Sequence, residues 1–188
     1  TLPFNIPCPS VVTIHDLILR RFPTHAASTR SRLVYAAKRL GYQAVIAAAE
    51  RRARAIIAVS SFTAGEIADA WPSVRRKVRV VPEGLSHLPE SSEPAAAVLD
   101  RYGIAAPYFL YVGSCYPHKN IEGLIAAYRR LREIEPDPPA LVIAGRPDRF
   151  SERIAEAVRR DGPTGVRFIG FVPDAELGAL YREAIAYV

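Results

Sequence analysis

The sequence predicts an α/β protein built on parallel sheets, and three observations carry that prediction. Short apolar segments recur along the chain, helical segments of ordinary length separate them, and a glycine or small polar residue follows most of the apolar segments. Strands alternating with helices imply parallel sheets with helices on both faces, and ligands then bind beyond the carboxyl ends of the strands. With 188 residues, 49% of them apolar, the chain can bury one large core or two small ones.

Taken in order, Val11 to His15 reads as a buried strand ending at a turn through Asp16. An alanine-rich stretch from about Thr29 to Arg54 has helical character, with Gly41 as a break. Ala55 to Val59 is the second strand, and Ser60, Ser61 and the Thr63-x-x-Glu66 pair signal the start of the next helix. Val78 to Val81 is the third strand, ended by Pro82-Glu83-Gly84. Prolines 89, 94 and 107 and the pair Ser91-Ser92 mark a connection holding one helix, Pro94 to Tyr102, stopped by Gly103. The alternation then resumes with strands at 108–112, 140–144 and 166–169 and helices at 120–135, from Ser151 and from Asp174. The domain reading is 1–88, a connection at 89–106, and 107–188.

One stretch carries the most chemistry. Tyr108 to Val112 runs into Gly113, a short loop follows, and Lys119 precedes Asn120, a capping residue for the amphipathic helix behind it. Unpaired amides at a helix N-terminus, the positive end of its dipole and an adjacent ammonium group make a site for a phosphate or diphosphate. Glycine at the turn lets a charged ligand approach the backbone. The spacing admits an equal reading in which Gly113 only ends a strand, Lys119 is a solvated surface residue and Asn120 only caps. It is neither G-x-G-x-x-G nor a P-loop.

Composition narrows the function classes. No apolar run approaches the ~18 residues of a membrane span and no signal peptide opens the chain, so the reading is cytoplasmic. Cys8 and Cys115 lack metal-ligand spacing and are too few for a disulfide framework, which fits two free thiols in a reducing compartment. The net charge of +6 gathers in segments such as Arg51-Arg52-Ala53-Arg54 and Arg75-Arg76-Lys77. A solvated face accounts for these, with attraction to anionic substrates or to a membrane leaflet as the functional alternative. No nucleic-acid module and no aromatics interleaved with the basic clusters are seen, so nucleic acid is not a partner. The chain has no methionine and stops inside an apolar segment, Ala186-Tyr187-Val188, so it reads as a piece of a longer protein.

Six segments in order give a resemblance: His15-Asp16-Leu17; Val59 to Thr63; Val80-Val81-Pro82-Glu83-Gly84; Tyr111-Val112-Gly113 with Pro117-His118-Lys119-Asn120; Val142 to Gly145; and Phe168 to Asp174 with Leu177, Leu180, Tyr181 and Ala184. Together they resemble the family-4, or group 1, glycosyltransferases, and the Pro-His-Lys-Asn form resembles their mannosyltransferase-like branch. The resemblance implies the GT-B architecture, two Rossmann-like parallel-sheet domains, each incomplete in this chain, with the acceptor on the first and the nucleotide-sugar donor on the second. It implies metal-independent transfer of a sugar, with retention of configuration, from a GDP-, UDP- or ADP-linked donor to a glycan or glycolipid acceptor, and no resident cofactor.

By the same resemblance Lys119 meets the donor diphosphate and Gly113 and Ser114 lie in the loop beside it. His118 is either a second phosphate donor or exposed. His15 contacts the donor sugar, and Gly170 and Phe171 lie in the stretch against the base. Asp16 either holds His15 or caps a turn, the turn being the favoured role; His25 and His87 read as surface residues. The chain departs from the family at Ser114 and His118, where relatives carry arginines. The carboxylates that hold sugar and ribose in the family would lie past Val188, so the isolated chain is expected to turn over little. A nucleotide-sugar epimerase of the same fold, or a non-catalytic nucleotide- or glycan-binding module, is the alternative.

Overall fold

The computed structural model describes residues 8–22, 51–84 and 93–188, with 37, 40, 41, 43, 44 and 46–48. The readings of His25 and His87 fall outside the described residues, as does much of the stretch read as helix from Thr29. The chain divides into two compact units, Thr1–Leu85 and Ser86–Val188.

The first unit holds β1 (Ser10–Ile14), the single turn α1 (Ile18–Arg21), β2 (Ala53–Ala58), α2 (Ser61–Ala70), a 3-10 segment (Pro72–Lys77) and β3 (Val78–Val80). The three strands are parallel in the order β1-β2-β3, with Val12 opposite Ile56 and Ala58 opposite Val80. Ile14, Leu17, Ile46, Ile56, Ile67 and Val74 form its core. Each such aliphatic side chain contributes about 1.5–3 kcal/mol when taken from water.

The strand limits in this unit differ from the sequence reading by one or two residues, with β1 at Ser10–Ile14 rather than Val11 to His15 and β3 ending at Val80 rather than Val81. β2 begins at Ala53 rather than Ala55, because Ala53 is buried and pairs with Ser10. α2 begins at Ser61 because Ser60 is its cap, accepting the Thr63 N–H on Oγ at 3.1 Å. The Thr63/Glu66 box therefore does not form. Glu66 instead pairs with Arg21 at 2.8 Å, and Thr63 donates its hydroxyl to the carbonyl of His15 at 3.3 Å.

In the second unit, α3 (Ala95–Arg101), β4 (Tyr108–Val112), α4 (Ile121–Ile134), β5 (Ala140–Ala144), α5 (Arg149–Asp161), β6 (Val166–Gly170), α6 (Asp174–Glu183) and β7 (Ala184–Tyr187) follow one another. The strands are again parallel, in the order β6-β5-β4-β7. Side chains alternate along a strand, so Leu110, Val142 and Ala144 meet α3 and α6 on one face while Tyr111, Leu141 and Ile143 meet α4 and α5 on the other. Helices on both faces explain why β4 and β5 read as continuous apolar runs.

The helix of the expected connection is packed into this second core through Val98 and Leu99. Arg101 ties it down, bonding Glu93 and Glu176 at 2.5 Å each, and the hydroxyl of Tyr102 donates to Glu176 at 2.5 Å. α5 starts at Arg149, two residues before the expected Ser151. Asp148 caps it, and Ser151 returns the bond to the Asp148 N–H at 2.8 Å in a reciprocal capping box.

Candidate functional site

The order β6-β5-β4-β7 contains a reversal: β5 and β6 lie to one side of β4 and β7 to the other. Open parallel sheets bind ligands beyond the carboxyl ends of their strands at such a reversal. Three glycines stand there, Gly113 after β4, Gly145 after β5 and Gly170 closing β6. The Gly113 N–H donates to the carbonyl of Ala144 at 2.9 Å, and the Gly145 N–H donates to that of Gly170 at 2.8 Å. A Cβ at Gly145 would run into the Gly113 carbonyl, and Gly170 takes φ +77°, a conformation that disfavours side chains. Glycine is thus required where these loops close on one another.

Above this row lie two cavities of about 480 and 220 Å³. The larger is bordered by Gly113, Ser114, Tyr116, Arg146, Phe171 and Asp174. Arg146 borders both, and its guanidinium lies 4.5 Å from the centre of the Phe171 ring. Phe171 is half exposed, so the stacked pair presents an aromatic face and a cation to the cavity rim.

The loop from Gly113 is held from below. Tyr111 donates its hydroxyl to the carbonyl of Ser114 at 2.9 Å. Burial first, and then Cys115 and Tyr187, pushes the Tyr111 hydroxyl up to about 12, so it stays a neutral donor at physiological pH. Burial, followed by Asp148, likewise raises the Cys115 thiol, so it is packing rather than a nucleophile. Beyond the loop, Pro117–Lys119 forms a 3-10 turn. His118 stacks on Tyr116 with 5.9 Å between ring centres and 9° between planes.

Four of the expected site residues, Gly113, Ser114, Gly170 and Phe171, therefore come together around the two cavities. Lys119 is exposed at the end of the adjoining turn, whose Tyr116 borders the larger cavity; neither Lys119 nor His118 borders either of these two cavities. Asn120 precedes α4 as expected but takes a left-handed conformation with φ 54° and makes no side-chain cap. That leaves the first amides of α4 without the expected Asn carboxamide. Arg146 was not anticipated, although its place directly after a glycine at a strand end was the available signal.

The remaining expected residue, His15, belongs to the first unit, one position beyond β1. Its Nδ1 lies 2.6 Å from Oε1 of Glu83, a partner the sequence did not suggest. Asp16 accepts the Ile18 N–H at 2.9 Å and so caps the turn, as favoured, rather than holding His15.

Comparison with known proteins agrees with this fold. Residues 3–87 match the protein-family model "Glycosyltransferase Family 4" and residues 104–188 match "Glycosyl transferases group 1". The chain is 29% identical over 183 residues to O-antigen chain mannosyltransferase B of Escherichia coli, covering 95% of this chain and 46% of that protein. It is 28% identical over 193 residues to the serotype-specific mannosyltransferase WbdA of Escherichia coli, covering 98% of this chain and 23% of that one. The chain thus spans less than half the length of these curated relatives. Among solved structures, Anabaena HepE in complex with UDP and glucose matches with TM-score 0.64 at 20% identity, covering 91% of this chain and 44% of that one. The same protein with UDP-glucose matches with TM-score 0.62 at 19% identity, covering 90% and 44%. With parallel sheets in both units and a glycosyltransferase model on each, the chain belongs to the family-4, group 1 glycosyltransferases and carries parts of both Rossmann-like domains of the GT-B fold.

Proposed function

We propose that the protein containing this chain transfers a sugar from a nucleotide-sugar donor to a glycan or lipid-linked acceptor, with retention of configuration and without a metal. The observation that carries this reading is the crevice at the carboxyl end of β4, β5 and β6, with its glycine floor and Arg146 at its rim. Glycine lets a diphosphate lie against the backbone. The amides opening α4 and the positive end of its dipole suit an anion.

As the bond between sugar and diphosphate breaks, negative charge grows on the leaving oxygens. A cation held beside them stabilises that state more than the ground state. In this reading Lys119 and Arg146 supply the charge, Lys119 through a flexible four-carbon stem and Arg146 through a planar fork that bonds two oxygens at once. Arg146 then offsets the absence of arginine at Ser114 and His118. Phe171 and the backbone of Gly170 offer a flat apolar wall for the base. The relatives named as mannosyltransferases favour mannose as the transferred sugar.

Calorimetric titration of the 188-residue chain with GDP, UDP and ADP tests the site. Lys119→Ala and Arg146→Ala are each expected to weaken diphosphate binding about 10- to 100-fold, the worth of a charge-assisted contact. Binding unchanged in both variants, or no binding by the parent chain, overturns the reading. Turnover by the isolated chain is expected to be negligible.

A further inference from the structure

Among the described residues of the first unit, polar contacts converge on the residue beyond β1. The His15 carbonyl accepts the Thr63 hydroxyl at 3.3 Å, Thr63 is in turn bonded to Ser60 at the cap of α2, and the ring meets Glu83 at 2.6 Å. β1 and β3 flank β2, so their axes are about 9–10 Å apart. The His15–Glu83 pair therefore spans the carboxyl end of β2. The Val81 N–H keeps the chain on β2, donating to Ala58 at 2.9 Å, before Pro82 carries Glu83 to the histidine.

The side chains are 65% and 64% exposed. A pair in that much solvent adds little to folding, so stability does not explain it. Its chemical consequence is sharper. An ionised carboxylate only accepts hydrogen bonds, so the nitrogen facing Glu83 must carry the proton. We infer that Glu83 is a positioning residue for His15, holding the proton of the ring's neutral form on Nδ1 and leaving the Nε2 lone pair of that form to accept a hydrogen bond from a sugar hydroxyl. This rests on the proposed reading only in assigning the hydroxyl to a sugar. The tautomer follows from the pair itself.

The test has two arms. Long-range nitrogen–proton NMR on the 188-residue chain, at alkaline pH and assigned with His15→Gln, reads the tautomer directly. The proton is expected on Nδ1 in the parent and in Glu83→Gln, whose amide oxygen still accepts, and on Nε2, the site an isolated imidazole favours, in Glu83→Ala. Melting temperatures of the three should agree within about 2 °C, as expected for an exposed pair. An Nε2 proton in the parent, or the same tautomer in parent and Glu83→Ala, overturns the inference. In the full-length protein Glu83→Ala should lower the rate of transfer about 10-fold or more with the donor KM little changed, and Glu83→Gln should restore most of it. An unchanged rate overturns the positioning role. If the full-length parent moves no sugar while the tautomer result holds, the proposed function fails and the Nδ1 assignment survives.

Discussion

The second unit covers its sheet on both faces, while among the described residues the first gathers a single core cluster. β4 and β5 lie inside the second unit with Leu110, Leu141, Val142 and Ile143 at 2% exposure or less. In the first, Val11 on β1 is 57% exposed and Val80 on β3 is 45% exposed. A strand buried on both faces must be apolar at every position, so its ends are written in the composition. A strand with a solvated face mixes residue types, and its ends depend on neighbours. The strands expected at 108–112 and 140–144 match residue for residue, whereas β1, β2 and β3 each differ by one or two residues at their ends.

That contrast can be broken by mutation. Leu110→Ala removes a fully buried side chain and should cost about 2–5 kcal/mol in urea unfolding. Two probes locate the damage: buried Cys115 should become reactive to thiol labelling at lower urea, while the fluorescence of Trp71, the single tryptophan, packed against the core of the first unit, should change at the same urea concentration as in the parent. Equal sensitivity of both units' probes would show that they unfold as one.

A smaller effect is expected from alkali. Burial pushes Tyr108 and Tyr111 up to about 12, and burial with Glu176 does the same to Tyr102, against an ordinary value of 10.0. A raised value favours the neutral phenol in the folded state, so its contribution is complete below pH 10 and is lost as pH rises toward 12. The melting temperature should fall across that window. Tyr108→Phe should flatten the fall while losing the bond to the Leu180 carbonyl, worth about 1 kcal/mol. A fall beginning well below pH 10 would point to another group.

The smallest effect belongs to the first unit. Ser60→Ala removes the cap of α2 and should cost about 1 kcal/mol, with Ser60→Asn restoring most of it. No change by chemical denaturation would mean that α2 is held by Ile67 and its neighbours instead.

Much of the site was legible for the same reason as the second sheet. Gly113, Gly145 and Gly170 announce themselves because each ends an apolar run, and Phe171 follows one. What the sequence did not reveal depends on partners distant along the chain. His15 and Glu83 are separated by 68 positions, and only the order β1-β2-β3 brings them together. Asn120 was misread because a good capping residue is also one that tolerates the left-handed conformation it adopts here. Arg146 was passed over because an arginine after a strand looks like any solvated charge until Phe171 is beneath it.

The row of bonds from Gly113 to Ala144 and from Gly145 to Gly170 makes the base of the crevice out of main chain. Rotamer changes cannot reshape such a base, and a substitution at Gly145 forces two loops apart instead of adjusting one. Substitutions that alter the crevice while leaving its strands in place are therefore those at edge residues such as Ser114, Arg146 and Phe171.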